Sequence, residues 1–284
     1  MTAFSNLLNE TQSYEILASV HYPIAARMAV DLGFKYGMVG GSVASLSMLG
    51  TPDLMLLTST ELCDLVKRTS QSSSLKIIVD GDAGYGNALN TMRTVVELEM
   101  AGATAVTIED TNLPIAYRQT KTKLISQQEQ IDKLSAALDA RRSDSFGIIA
   151  RTQIVSGEDI GAVAERVFQY SEVGVDGICL AGVNDPEQLE LISTASSKPK
   201  MLINYGRKNT LTEEMYSRFN IKLLLNGHSP FESSIVATYH ALSELSGRTP
   251  SDNELHYKSL IGRYTEERWF DSSLKRYLRI FGQN

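Results

Sequence analysis

The chain has 284 residues, 43% of them hydrophobic, and a formal net charge of −6 at neutral pH. This length can bury a large core, while the negative charge and the lack of a clustered basic patch argue against a nucleic-acid partner. We find no apolar run of about 18 residues and no basic-then-apolar leader, so we expect a cytoplasmic protein without membrane contact. Cys63 and Cys179 lie in apolar segments outside any metal or redox spacing, and we interpret both as core residues.

Short apolar runs recur along the chain and are continuous rather than alternating, which is typical of parallel strands buried on both faces. They cover residues 15–20, 36–39, 75–79, 103–108, 147–150, 177–181, 201–203 and 221–225. Helical patterns lie between them, for example over 88–101 and 160–172. Gly33, Gly102 and Gly174 each stand between a helical pattern and the next strand, where glycine ends a helix.

Eight strands alternating with helices predict a (β/α)₈ barrel of the TIM type. A doubly wound open sheet is the alternative, but it would carry a phosphate loop after its first strand, and residues 20–24 do not resemble one. The pattern changes after Gly247. Apolar and aromatic residues at helical spacing over 254–281 predict C-terminal helices that either pack on their own barrel or are exchanged with a neighbouring subunit. We therefore expect a catalytic barrel over 1–246 and a helical extension over 247–284.

Polar residues follow the predicted strands, whose carboxyl ends meet on one face of a barrel. In chain order these are Gly40-Gly41-Ser42, Asp80, Asp82, Glu109, Asp110, Arg151, Tyr205 and His228. Together they make a plausible site for a metal-bound dianion.

The acidic residues of this set indicate a hard divalent cation. Asp80, Asp82 and Glu109 would repel one another unless a cation neutralised them. Asp110 is interpreted as ordering the loop that follows it. Arg151 could clamp a substrate carboxylate through two parallel hydrogen bonds, or it could form a structural ion pair.

The motifs at these strand ends resemble the isocitrate lyase/phosphoenolpyruvate mutase superfamily over about residues 5–245. They are Gly-Gly-Ser at 40–42, Asp-Gly-Asp-Ala-Gly-Tyr-Gly-Asn at 80–87, Thr-Ile-Glu-Asp at 107–110 and Ile-Ala-Arg-Thr at 149–152. Within the superfamily, the turn at 40–45, the run at 84–90 and the Asn-Gly-His at 226–228 are most similar to the oxaloacetate decarboxylase group.

The resemblance implies a barrel that forms homo-oligomers, dimers or tetramers, with exchanged C-terminal helices, and that binds Mg²⁺ or Mn²⁺ together with an α-keto acid. Asp80 would contact the metal, Asp82 and Glu109 would hold it through water, and Asp53 would be a further outer carboxylate. The turn Gly41-Ser42-Val43 would bind a substrate carboxylate or enolate oxygen through the N–H groups of Ser42 and Val43, and Arg151 would clamp the same end.

The loop at 112–123 bears on the reaction class, because it lacks the cysteine that carbon–carbon lyases of the superfamily carry there. The expected activity is therefore metal-dependent decarboxylation of oxaloacetate, or a close β-keto dicarboxylate, to pyruvate and CO₂. Tyr205 and His228 would bind the departing carboxylate or protonate the enolate carbon. The alternatives are another carbon–carbon or carbon–phosphorus lyase or hydrolase, and a non-catalytic barrel that binds keto acids.

Overall fold

Nine short parallel strands form one sheet in the computed structural model, which describes residues 13–280 except 156, 184 and 205–210, together with residues 4, 6, 8 and 10. The strands are β1 (Glu15–Ile16), β2 (Ala18–Ser19), β3 (Tyr36–Val39), β4 (Lys76–Asp80), β5 (Ala105–Glu109), β6 (Gly147–Gln153), β7 (Gly177–Ala181), β8 (Lys200–Ile203) and β9 (Ile221–Leu225). Each lies on or within two to three residues of a predicted strand.

The sheet closes into a barrel through its first strand, which is split in two at Leu17. β1 pairs with β9, while β2 pairs with β3. The N–H of Leu17 donates to the carbonyl of Leu224 at 2.8 Å and bridges the two halves. β1 and β2 thus occupy one of eight strand positions in a closed ring, as the predicted barrel requires, and the open-sheet alternative is wrong.

Helices connect the strands and surround the barrel. They are α1 (Pro23–Asp31), α2 (Gly41–Leu49), α3 (Ser59–Ser70), α4 (Ala88–Met100), α5 (Gln127–Ala140), α6 (Ile160–Glu172), α7 (Pro186–Ala195), α8 (Glu213–Arg218), α9 (Ser229–Leu245), α10 (Tyr257–Tyr264) and α11 (Glu267–Tyr277). The predicted helix-ending glycines Gly33, Gly102 and Gly174 have φ of 87°, 93° and 101°. This left-handed backbone favours glycine and turns the chain into the next strand.

The core has two parts, one between the sheet and its helices and one inside the barrel. Phe4 and Leu8 belong to the inner part, and a Cβ atom at Gly147 would lie 2.4 Å from the Phe4 ring. Cys179 is buried inside the barrel, and Cys63 is half-buried against the outer core. The interpretation of both cysteines as core residues is confirmed.

The chain beyond α9 forms the predicted C-terminal helices. α10 buries Leu260, whereas α11 has no fully buried side chain and leaves Trp269 61% exposed. After α11, the carbonyl of Leu278 accepts a hydrogen bond from the N–H of Arg118 at 2.8 Å, so the tail contacts the loop between β5 and α5 of its own chain. None of the helices described is long and apolar enough to cross a bilayer.

Candidate active site

A cavity of about 310 Å³ opens at the carboxyl ends of the strands. Seven of the predicted site residues line it: Ser42, Asp53, Asp80, Asp82, Glu109, Arg151 and His228. Gly41 and Val43 flank Ser42 in the first turn of α2. The remaining predicted residue, Tyr205, lies outside the described residues. The fold therefore brings together side chains from β4, β5 and β6, from the first turn of α2, and from the loops after α2, β4 and β9.

The acidic side chains are positioned by a tight turn after β4. Asp82, Gly84 and Gly86 all have positive φ, at 45°, 79° and 144°. The N–H of Glu109 donates to the carbonyl of Asp82 at 2.8 Å, so the turn continues the pairing beside β5. A Cβ atom at Gly81 would lie 2.6 Å from the Val106 side chain, which explains the glycine between the two aspartates. The turn fixes both aspartates next to Glu109.

Arg151 forms ion pairs inside the cavity. Its Nη1 lies 2.6 Å from each carboxylate oxygen of Asp80, and its Nη2 lies 3.2 Å from Oε2 of Glu109. Thr107 Oγ1 also donates to Asp80, at 3.3 Å. The ion pair that the sequence left as one alternative is thus present, and the guanidinium lines the cavity as well. A role as substrate clamp stays a prediction.

The cavity is short of positive charge. Among the described residues that line it, Arg151 alone is cationic at neutral pH, against the carboxyl groups of Asp53, Asp80, Asp82 and Glu109. Burial, reinforced by the charge of Asp80, raises the pKa of Asp82 well above its usual range. Burial also raises the pKa of Glu109 to about 7, against the opposing effect of Arg151. These carboxyl groups ionise fully only when further positive charge is supplied.

This donor set fits a hard divalent cation, which prefers carboxylate and water oxygens. In the part of the chain that is described, no three His, Cys, Asp or Glu side chains are arranged to hold a metal by themselves. A cation here would therefore take much of its coordination from water and substrate, as Mg²⁺ commonly does.

His228 faces the acidic cluster from the opposite part of the ring, at the start of α9. Its Nδ1 lies 2.7 Å from Oγ of Ser19, at the end of β2. A Cβ atom at Gly40 would lie 2.7 Å from Cε1 and 3.0 Å from Nε2 of the imidazole. Burial lowers the pKa of His228, so the ring is neutral at neutral pH. Gly40 is needed because the imidazole lies directly against its backbone.

The first turn of α2 also enters the site. Gly40 precedes the helix and provides no side-chain cap. A Cβ atom at Gly41 would lie 2.8 Å from Oδ1 of Asp82, so only glycine lets the helix approach the acidic turn this closely. The side chain of Val43 is buried, and only its backbone could serve a ligand. Uncapped N–H groups at a helix start attract anions.

Asp110 belongs to a supporting network instead. It is fully buried, and its Oδ2 accepts hydrogen bonds from Thr152 at 2.6 Å and Tyr170 at 3.0 Å, with Arg166 3.2 Å away. Its carbonyl accepts from the N–H of Ile125 at 2.9 Å. This agrees with the expectation that Asp110 orders the following loop.

Four further residues complete the site and were missed in the sequence. Ser19 contacts His228, as described above. Gln153 and Thr111 line the cavity and are joined by a 3.1 Å hydrogen bond from Nε2 to Oγ1. Lys133, buried on α5, donates from Nζ to the carbonyl of Ala83 in the acidic turn. Position at a strand end could have suggested Ser19, Thr111 and Gln153, whereas nothing in the helical pattern around Lys133 marks it.

Comparisons with known proteins identify the family of this chain. The family model described as phosphoenolpyruvate phosphomutase matches residues 4–246. Oxaloacetate decarboxylase 2 of Pseudomonas putida (strain W619) is 42% identical over 278 residues, covering 98% of this chain and 91% of that protein.

Two solved structures show the same fold. The phosphoenolpyruvate phosphomutase of Streptomyces platensis subsp. rosaceus superposes with a TM-score of 0.76 at 24% identity, covering 98% of this chain and 99% of that one. A phosphonopyruvate hydrolase in complex with oxalate and Mg²⁺ gives a TM-score of 0.74 at 23% identity, covering 98% and 100%. With a family model that spans the whole barrel and a close relative that spans nearly the whole chain, this protein belongs to the phosphoenolpyruvate phosphomutase family, in the superfamily that the strand-end motifs indicate.

Proposed function

We propose that this protein is a metal-dependent carboxy-lyase that converts oxaloacetate, or a close β-keto dicarboxylate, to pyruvate and CO₂. The observation that carries the proposal is a cavity that joins an oxygen-rich acidic cluster, a guanidinium and a neutral imidazole. Relatives of similar length named oxaloacetate decarboxylase support the choice of substrate.

The acidic cluster would hold the cation, which is Mg²⁺ or Mn²⁺. Asp80 would contact it directly, Asp82 and Glu109 through water, and Asp53 from outside. When bound, the cation supplies the positive charge that stabilises an enolate oxygen. Arg151 is paired with Asp80 and Glu109, and these ion pairs restrain the guanidinium, which would bind the substrate's C1 carboxylate.

The remaining groups would handle the carbon atoms. The C3–C4 bond breaks, C4 leaves as CO₂, and the bonding electron pair forms the enolate. The N–H groups of Ser42 and Val43 would bind the carboxylate or enolate oxygen at the start of α2, in the turn that Gly41 opens. His228 or Tyr205 would then donate a proton to C3 to give pyruvate, and solvent would restore that proton.

The loop after β5 supports decarboxylation over thiol-dependent carbon–carbon cleavage. Its residues Leu113, Ile115 and Thr122 line the cavity, and the described lining includes no cysteine. A lyase that needs a thiol as proton donor or acceptor would therefore require a cysteine from outside the described lining of this cavity.

The decisive experiment measures pyruvate and CO₂ formation from oxaloacetate with and without Mg²⁺ or Mn²⁺, corrected for the slow reaction that the metal catalyses alone. A rate no greater than this background contradicts the proposal. Turnover of a substituted malate or a phosphono-keto acid would favour the other lyase or hydrolase reactions. Binding of oxalate with Mg²⁺, but no CO₂ release from a panel of keto acids, would favour a non-catalytic barrel.

We also propose that the protein is a homo-oligomer, a dimer or tetramer. α11 leaves Trp269 61% and Tyr277 64% exposed, and a neighbouring subunit would cover such aromatic side chains by docking or exchange of this helix. Light scattering on the full chain and on a Trp269→Glu variant tests this, with dissociation expected in the variant.

The two free cysteines suit the reducing cytoplasm, where we place the protein.

A further inference from the structure

Ser19 is the only described residue with a hydrogen bond to the His228 ring. Its side chain is 4% exposed at the end of β2, and its Oγ lies 2.7 Å from Nδ1 of His228. The other ring nitrogen, Nε2, lies on the side of Gly40, which lines the cavity together with His228. The contact with Ser19 therefore leaves one imidazole nitrogen for the cavity.

A neutral imidazole carries its proton on one nitrogen only, so this contact has two possible directions. If the serine hydroxyl donates to Nδ1, the proton lies on Nε2 and the ring presents a donor to the cavity. If Nδ1–H donates to the serine, Nε2 presents a lone pair.

The charge distribution favours the first direction. Four carboxyl groups, from Asp53, Asp80, Asp82 and Glu109, line the same cavity as His228, against one guanidinium. A negative potential on that side stabilises the tautomer whose N–H points toward it. An anionic substrate entering the cavity adds to this preference.

We propose that Ser19 is a positioning residue whose hydroxyl donates to Nδ1 of His228 and holds the imidazole proton on Nε2, facing the cavity. This direction presents a proton donor to the carbon from which CO₂ departs, and in that respect the inference rests on the proposed function. The hydroxyl also fixes the ring against Gly40, so that the donor has one orientation.

The tautomer is measured directly by long-range ¹H–¹⁵N NMR on uniformly labelled full-length protein above pH 7.5, with His228 identified among the four histidines by its loss in the His228→Gln variant. The expected spectrum has a pyrrole-type Nε2 and a pyridine-type Nδ1 for His228, and in Ser19→Ala the Nδ1 resonance should move toward that of a pyridine-type nitrogen without a hydrogen-bond donor. An Nδ1–H tautomer in the unmodified protein, or an unchanged Nδ1 resonance in Ser19→Ala, would overturn the proposal. This arm needs no turnover, so it decides the role of Ser19 even if oxaloacetate is not the substrate.

Kinetics supplies the second arm. We expect Ser19→Ala to lower kcat by about tenfold with KM nearly unchanged, because binding groups remain and only the donor loses its orientation. The S–H group of Ser19→Cys is a weaker donor than a hydroxyl, so the kcat of this variant should lie between that of Ser19→Ala and that of the unmodified protein. Ser171→Ala removes another buried hydroxyl, which bonds to Ser196 away from the cavity, and should leave kcat unchanged. An equal loss of kcat in Ser171→Ala would mean that the effect is not specific to His228.

Discussion

Both oxygens of the Asp80 carboxylate lie 2.6 Å from the same nitrogen, Nη1, of Arg151. The guanidinium thus neutralises the proposed metal ligand before any cation arrives, and it also restrains that ligand at the end of β4. One consequence is that a cation must compete with Arg151 for Asp80, which suits a site that binds metal and substrate together.

Asp80→Asn should reduce kcat/KM by at least about 100-fold, because the amide keeps the shape but loses the charge that would hold a divalent cation. Steady-state kinetics over a Mg²⁺ titration measures both the loss and the shift of the half-saturating Mg²⁺ concentration. Asp64→Asn, an exposed carboxylate paired with Arg68 on α3, is the matched control. An Asp80→Asn enzyme with normal Mg²⁺ dependence would contradict the metal assignment.

Arg151→Lys keeps the positive charge but loses the planar fork that spans Asp80 and Glu109. We expect KM to rise by about 10- to 100-fold, since a lysine cannot meet two carboxylates and the substrate with the same geometry. Oxalate affinity, measured by calorimetry with Mg²⁺ present, should fall in parallel. The exposed Arg68→Lys serves as control, and an unchanged oxalate affinity in Arg151→Lys would remove the clamp from the mechanism.

His228→Gln should lower kcat by about 100-fold, the usual contribution of a positioned general acid, with little change in Mg²⁺ dependence. His240→Gln alters an exposed histidine on α9 and should behave like the unmodified protein. Rapid-quench measurement of CO₂ release and of pyruvate formation separates bond cleavage from proton transfer. Unchanged turnover of oxaloacetate in His228→Gln would exclude this residue, leaving Tyr205 as the donor.

Lys133→Gln should destabilise the fold by about 1–3 kcal/mol, because it removes a buried charge-assisted hydrogen bond and leaves the carbonyl of Ala83 without its ammonium donor. The same change should weaken Mg²⁺ binding, since the lysine supports the turn that carries Asp82. Urea unfolding and Mg²⁺ titration measure the two effects. Lys67→Gln, on the exposed face of α3, should show neither, and a Lys133→Gln protein of normal stability would argue against an anchoring role.

Lys200 predicts a pH dependence of stability. Burial lowers the pKa of its ammonium group to about 8, although Ser196 and Lys198 carbonyls accept its hydrogen bonds. In the unfolded chain this pKa returns to about 10.4, so between these values the unfolded state binds more protons and stability rises with pH. Below pH 8 both states are protonated, and the cost of burying the charge is constant.

The rise attributable to Lys200 should reach about 3 kcal/mol across that window. Urea unfolding between pH 7 and pH 10 measures this rise in the free energy of unfolding. The rise attributed to Lys200 should be absent in Lys200→Met and present in Lys67→Met, which alters an exposed lysine. Equal slopes in Lys200→Met and the unmodified protein would mean that the amine is solvated.

Much of the fold was readable from local patterns, because each strand is a short apolar run and each helix-ending glycine has the φ that its position requires. Asp80 and Glu109 were identifiable because they are the last residues of β4 and β5, and Arg151 because it directly follows the apolar residues that begin β6. Ser19 and Lys133 were not, because their roles depend on which residues face them across the barrel or beneath the turn. Those contacts arise from strand register and helix packing, which no local pattern encodes.

The split first strand has a kinetic consequence. Ser19 and His228 are 209 positions apart, and they meet only when β1 joins β9 and β2 joins β3. Contacts between positions far apart in the sequence carry a large loop-closure entropy cost and therefore tend to form late. We expect the pairing of β1 with β9 to form at the end of folding. An N-terminal folding intermediate could already carry the acidic turn, yet it would have no histidine beside it. Catalytic competence would then appear only with ring closure, and recovery of turnover during refolding would report that last event.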